Sequence, residues 1–462
     1  MILSIYNYFL KGEIDELTEI MDRTSKKERT AYGAWFVGQN IIYMIVTSYF
    51  AIYLTDEIGI VEAAVGTLFL VARIWDAVND PILGGIVDRY QPKKGKFKPW
   101  INITTFLLPI MTIFLFWEFK GSGNFNLFYA YLSYIVFGMV YTISDVPIFA
   151  LATTMTEKTQ ERTLLIAIGR LAAGLASMII GLLAPQLIVS LGYQSTVIIL
   201  MGVSLFVMLP LRFFVKERII QPKNKSITLK MMINAIIKNK YLLVFYLAFI
   251  AVTSTLTAMT IAPYFAKWNL GDLGKQTIIM ATLALPMILI PILSPMLVRK
   301  FGKYKIFMWG FASAIILSVL QYFVGYENFY LFLVINLFKM IGLLLPMLMN
   351  GMFSADCVEY GAYVNGVRNE GVTFSVQTFS TKLGSAFSGA IGLFVLGLYG
   401  YDGKAEAQTA RALEGIWVNL TLVPIIGLVI AFIVFGLFYK LREEDVEKMV
   451  LEMKREESLK VD

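Results

Sequence analysis

The chain has no histidine, and one of its 462 residues is cysteine. Without histidine there is no Ser-His-Asp triad and no HExxH zinc site. The commonest proton shuttle and metal ligand is missing as well, so proton or cation handling falls to carboxylates, lysine or backbone. Cys357 alone cannot form an intramolecular disulfide, and nothing implies an oxidising compartment. Charge is also scarce: Asp, Glu, Lys and Arg make up 16%, against about 25% in soluble domains. No Gly-rich loop of P-loop spacing occurs, which leaves an ATP-driven pump unsupported. Residues 1–30 carry no A-x-A-like cleavage site, so they read as a cytoplasmic, surface-lying segment and not as a cleaved signal.

What is present is apolar. Hydrophobic residues make up 57% and aromatics 14%, and the mean hydropathy is +0.68. Continuous apolar runs of about 20 residues fit membrane-spanning helices and not the alternating ten-residue strands of a barrel. Helices also satisfy their own backbone hydrogen bonds in hydrocarbon. The expected fold is an all-α membrane protein of twelve transmembrane helices in two six-helix halves. Residues 31–215 would form the first bundle and 241–440 the second. Residues 1–30, 216–240 and 441–462 would be a cytoplasmic N-terminal segment, middle loop and tail. Thirty of the forty Lys and Arg residues then fall on the cytoplasmic side and five in outer loops, as the positive-inside rule requires. The net charge of +7 is thus read as topology and not as affinity for nucleic acid. A weak repeat supports the halves. The basic loops 88–98 and 299–305, each with a Gly-Lys step, occupy equivalent places, and duplicated halves around a midplane site are the plan of secondary transporters.

The stretch Arg73-Ile74-Trp75-Asp76-Ala77-Val78-Asn79-Asp80-Pro81 sets four polar groups inside a span. Arg73, Asp76, Asn79 and Asp80 stand at i, i+3, i+6 and i+7, one stripe of a helix. Each charge at bilayer depth costs roughly 2.5–3.5 kcal/mol on insertion scales, and such clusters mark ion or substrate paths. Oxygen ligands suit a hard monovalent cation such as sodium, making Asp76 and Asp80 the candidate Na+ carboxylates. A cation or proton would relieve their mutual repulsion. The alternative is a structural network with Arg73. Asp145 (beside Pro147), Arg170 and Lys382 are further charges in spans. With Arg73, Asp76 and Asp80 they balance three against three, which makes convergence on one polar cavity reasonable, since buried charge is tolerable when paired. Carboxylate beside arginine also clamps sugar hydroxyls. Snorkelling to the interface is the alternative for Arg170 and Lys382. Gln39, Asn40, Tyr43, Tyr141 and Phe149 add amides and aromatics of the kind sugar cavities use. Lys339 is open between a structural and a functional role.

At these residues the chain resembles the glycoside–pentoside–hexuronide:cation symporter family of the major facilitator superfamily. The likeness is carried by Tyr53-Leu54-Thr55-Asp56, the run from Gly66 through Arg73 to Pro81, and Gly95-Lys96-Phe97-Lys98-Pro99-Trp100. Asp356-Cys357-Val358-Glu359-Tyr360-Gly361, Arg368-Asn369-Glu370-Gly371 and Ser375-Val376-Gln377-Thr378 with Lys382 continue it. It runs from about residue 32 to 440. The resemblance implies that Asp76, Asn79, Asp80 and Thr142 bind the cation. It implies that Asp145, Phe149, Arg170, Thr378 and Lys382, with Gln39 and Asn40, face the sugar. Gln39 and Asn40 fall where the family's melibiose permease has a lysine and an aspartate holding galactosyl hydroxyls. Asn40 carries no negative charge, which disfavours melibiose and leaves hexuronides open.

The expected function is uptake of a glycoside, oligosaccharide or hexuronide coupled to Na+ or H+ by alternating access, without a cofactor and without enzymatic turnover. The expected partners are the sugar, the cation and the bilayer, with no nucleic acid, and the chain is expected to act as a monomer in the cytoplasmic membrane. A transporter of a lipid or other non-sugar solute is the alternative, and Gln39, Asn40, Asp145 and Arg170 speak against it. An intramembrane aspartyl enzyme built on Asp76 and Asp145, or a channel or receptor, fits the duplicated halves poorly.

Overall fold

The computed structural model describes residues 24–89, 95–118, 123–219, 229–365 and 370–461, and the side chains of some of these, Asp80 and Thr378 among them, lie outside the description. Every regular element among the described residues is a helix. The middle segment expected as a loop contains an amphipathic helix at Leu229–Lys238, and the tail contains a helix at Glu443–Val461. Most of residues 1–30 fall outside the described residues; the remainder leads into the helix Lys26–Ile52.

Helix α1 (Lys26–Ile52) starts at a capping box. Ser25 Oγ accepts from the Glu28 N–H at 3.2 Å while the Glu28 carboxylate accepts from the Ser25 N–H at 2.8 Å, satisfying two donors that a helix start leaves free. The helix passes into a π-helical turn at Tyr53–Glu57. Helices α2 (Glu62–Arg89), α3 (Lys98–Leu115) and α4 (Gly123–Met155) follow. Helix α5 (Thr159–Met208) is fifty residues long, well over the 20 or so that cross a bilayer. Gly192, with φ +76° and ψ 169°, breaks it into two arms; an L side chain rarely adopts that backbone.

After the short α6 (Pro210–Phe214) and α7 (Leu229–Lys238) come α8 (Lys240–Thr255) and α9 (Ala258–Tyr264), which ends in a second π-helical turn at Phe265–Asn269. Helices α10 (Gln276–Phe301), α11 (Lys303–Val324), α12 (Phe329–Leu348), α13 (Asn350–Asn365) and α14 (Glu370–Leu398) continue the chain. Helices α15 (Ala410–Thr421), α16 (Val423–Phe438) and α17 (Glu443–Val461) complete it. Among the described residues, nine helical stretches are long and apolar enough to cross a membrane.

The core is apolar and aromatic. Trp35, Tyr32, Tyr49 and Phe50 of α1 are fully buried, making α1 a central helix. A separate cluster gathers Phe245, Phe307, Phe353, Phe435 and Tyr439, with the last two rings stacked 4.3 Å apart. The first cluster joins α1–α5 to the ends of α9, α10, α14 and α15; the second lies wholly within residues 242–446. The two parts of the chain therefore share a core at one end of the bundle.

Close approach of α16 to α8 depends on Gly427, where an added Cβ would sit 2.1 Å from the Ala251 carbonyl oxygen and from Thr255 Oγ1. Gly427→Ala should lower the thermal midpoint of the detergent-purified protein, since overpacking costs about 1–3 kcal/mol. Gly202→Ala, with nothing within 4 Å, should hold or raise it.

Candidate functional site

Four helices bring their polar residues to one cavity of about 210 Å3. Helix α1 contributes Tyr43 and Thr47, and α2 contributes Arg73 and Asp76. From α4 come Tyr134, Gly138, Tyr141, Thr142 and Asp145, repeating at helical spacing on one face. Helix α14 supplies Thr381, Lys382 and Ser385. Residues more than 300 positions apart in sequence thus face one another.

The Arg73 guanidinium donates to Asp76 Oδ2 at 2.9 Å. This is the contact the structural reading expects, yet the cavity opens directly on both groups. Gly138 makes room for the pair: an added Cβ there would lie 3.1 Å from Asp76 Oδ1. Thr142 is buried one turn further along α4. Gln39, 1% exposed, donates to Asp145 Oδ1 at 3.0 Å and lies 3.4 Å from Ser144 Oγ, orienting the carboxylate. Asn79 is buried, and its amide nitrogen has no hydrogen-bond partner among the described residues, a cost that buried polar groups rarely carry.

Several expected residues sit elsewhere. The Asn40 amide donates to the Phe36 carbonyl at 2.9 Å and its oxygen is 3.5 Å from Ser177 Oγ, so α1 and α5 already engage it. Phe149 is exposed and meets Phe36 edge-on at 5.1 Å. Arg170 is exposed and outside the lining of this cavity. Convergence of all six charges is therefore not what the described residues display: Arg73, Asp76, Asp145 and Lys382 meet, Arg170 stands apart, and the Asp80 and Thr378 side chains lie outside the description. Helix α4 continues through Pro147. Lys339 is 3% exposed and donates to Gln321 Oε1 at 2.5 Å and to the Leu420 carbonyl at 3.3 Å.

A second polar constellation, unnoticed in the sequence, ties the two parts of the chain at one end. The two π-helical turns face each other there, and such turns often mark functional positions. Asp56 accepts from Lys267 Nζ at 2.5 Å, from the Trp268 indole at 3.3 Å and from the Tyr401 hydroxyl at 2.6 Å. Thr55 and Tyr264 share a hydrogen bond of 2.9 Å, and Gln186 donates to the Gly274 carbonyl at 3.0 Å. At the opposite end each described ion pair joins residues of the same part of the chain. Arg218 pairs with Glu28 and Arg29 with Glu161, each at 2.9 Å, while Lys303 pairs with Asp356.

A family model described as MFS/sugar transport protein matches residues 31–443. The chain belongs to this family of membrane transporters. It is 30% identical to the isoprimeverose transporter of Lactiplantibacillus pentosus, with 89% of this chain and 88% of that one aligned. It is 29% identical to a glucuronide carrier protein homolog of Escherichia coli, over 91% and 94% of the two chains. A symporter of Bacillus subtilis, YjmB, is 30% identical over 94% and 96%. The crystal structure of the nucleoside transporter NupG superposes with a TM-score of 0.65 at 13% identity, over 90% of this chain and 100% of that one, a likeness of fold. The likeness to the glycoside–pentoside–hexuronide symporters is thereby confirmed: this is a multi-pass protein of a bacterial cell membrane, and a transporter rather than an enzyme.

Asp56→Asn should loosen this end, because a hydrogen bond to a charged group contributes about 1.5–3 kcal/mol. In a Cys357→Ser background carrying Thr277→Cys, Asp56→Asn should raise the rate of alkylation by a membrane-impermeant maleimide roughly ten-fold or more. An unchanged rate would show that the Asp56 network does not hold this end shut.

Proposed function

We propose that the chain is a secondary symporter that couples entry of a sugar, as glycoside, oligosaccharide or hexuronide, to a monovalent cation, Na+ or H+, by alternating access. The observation that carries this is the shared cavity of Arg73, Asp76, Thr142, Asp145 and Lys382 at the meeting of α1, α2, α4 and α14. The names of the relatives supply the substrate class.

Twelve crossings are the natural count. Adding α2, α10 and the second arm of α5 to the nine apolar stretches gives twelve, divided six and six around residues 216–240. Helix α2, at 28 residues, is long enough to cross despite its charged stripe. With both termini cytoplasmic, the Asp56–Lys267 end faces outward and the end with the Arg218–Glu28 pair faces inward. The arrangement is then closed outside, as expected for an inward-facing state.

In this reading Asp76, with Asn79, Asp80 and Thr142, offers oxygen ligands to the cation. When the cation is absent, Arg73 neutralises Asp76. A cation takes over that role and frees the guanidinium for sugar hydroxyls, while Gln39 holds Asp145 for the sugar. Lys382 approaches from the other half, so ligand bound on the α2–α4 side draws the halves together. This gives the binding-dependent closure that alternating access needs. A non-sugar, amphiphilic solute remains the second reading, favoured by an apolar chamber among α9, α10 and α12.

Counterflow into membrane vesicles against a panel of glycosides and uronides, with and without sodium and at two pH values, tests the proposal. One sugar should exchange, with stimulation by sodium or by acid. Asp76→Asn should abolish the stimulation, because Asp76 supplies the negative charge that holds the cation. Exchange of a sugar by Asp76→Asn with full cation stimulation would exclude Asp76 from coupling.

A further inference from the structure

The polar cavity is one part of a larger space. It shares Tyr43, Thr47, Arg73, Tyr134, Thr381 and Ser385 with a second cavity of about 220 Å3. That one shares Leu256, Met259 and Met347 with a third of about 320 Å3. The walls change character along this path. The first cavity carries four charged groups. The third is lined by methionine and leucine, Met259, Met280, Met287 and Met340 among them, and is polar along one side only.

That side is closed on itself. Asn336 donates to Thr282 Oγ1 at 2.7 Å, Gln321 donates to Asn336 Oδ1 at 3.3 Å, and Lys339 donates to Gln321 Oε1. Among the described residues the lining contains no carboxylate. A sugar there would surrender its hydration with few partners, at a cost that unpaired hydroxyls make large. A cation would meet Lys339. An aromatic group meets neither difficulty. An apolar cavity of about 150 Å3 takes up benzene, so about 320 Å3 admits a bicyclic ring. Methionine walls adjust to irregular apolar shapes and make favourable sulfur–aromatic contacts.

We propose that this chamber is an aglycone subsite, and that the preferred substrates are aryl glycosides whose sugar lies at the Asp76–Asp145 wall while the aryl group enters the chamber among α9, α10 and α12. The assignment rests on the sugar reading above and extends it to the other half of the molecule. It also accounts for the coexistence of a charged wall and an apolar one, which a free monosaccharide would leave unused.

Isothermal titration calorimetry on the purified full chain, with sodium present, can compare methyl and 2-naphthyl β-glycosides of xylose, glucose, galactose and glucuronic acid. For a sugar that binds, the naphthyl member should bind on the order of ten- to hundred-fold tighter than the methyl member, from the apolar area it removes from water. Ala258→Phe and Leu283→Trp, each filling the chamber from a different helix, should cut that ratio to about three-fold or less, the loss expected as the apolar contact disappears. A methyl glycoside that binds as tightly as its naphthyl partner overturns the aglycone subsite and leaves the sugar reading intact. A naphthyl advantage undiminished in both folded variants places the aryl group elsewhere and overturns it too. Binding by no glycoside of either kind would reject the sugar reading and the subsite together.

Discussion

A charge in hydrocarbon must find a partner, and the arrangement of this protein follows from how it meets that demand. Helix α2 carries Arg73 and Asp76 one turn apart, and they meet each other at 2.9 Å. Removing one member of a buried pair costs about 3–5 kcal/mol, while the pair itself contributes little to stability. Such a pair is a poor brace and a good switch. In the symport proposal its carboxylate exchanges one positive partner for another, a guanidinium for a cation, without ever standing alone. Gly138 leaves the space in which that exchange can occur, since any larger residue would press on Asp76.

The second demand is that the exchange be felt across the molecule. Asp56 and Lys267 lie in π-helical turns at the ends of α1 and α9, and their pairing, with Trp268 and Tyr401, joins the two parts of the chain at one end. The shared hydrophobic core gathers at that end as well. Toward the other end, residues 242–446 keep a core of their own. In the symport proposal this asymmetry is the hinge of the mechanism. Closure at the opposite end would trade the Asp56 network for contacts that form around bound ligand, with α14 and its Lys382 as the element that both halves hold.

Much of this was legible in the chain. Apolar length marks the helices, and the break of α5 at Gly192 divides a stretch too long for one crossing. The stripe on α2 could be read because helical spacing is local, and Asp145 and Lys382 stood out as charges within apolar runs. The Asp56 latch could not be read this way. Residues 56, 267 and 401 belong to three distant segments, each resembling an ordinary polar helix end. The chamber escaped for a related reason: methionine and leucine in a span look like lipid-facing residues until helices α9, α10 and α12 are seen around one space. Asn40 and Arg170 could be picked out by residue type but not placed: Asn40 bonds to Phe36 and Ser177, and Arg170 is exposed outside the lining of the polar cavity.

The central claim is that cation and sugar occupy one coupled site around Asp76 and Asp145. Coupling of two ligands is a free energy shared equally between them. The direct measurement is a pair of titrations on the purified protein: sugar affinity with and without the driving cation, and cation affinity with and without the sugar. The account predicts that each ligand tightens the other by the same factor, in the range of about five- to 150-fold. Affinities that are independent of one another would contradict it.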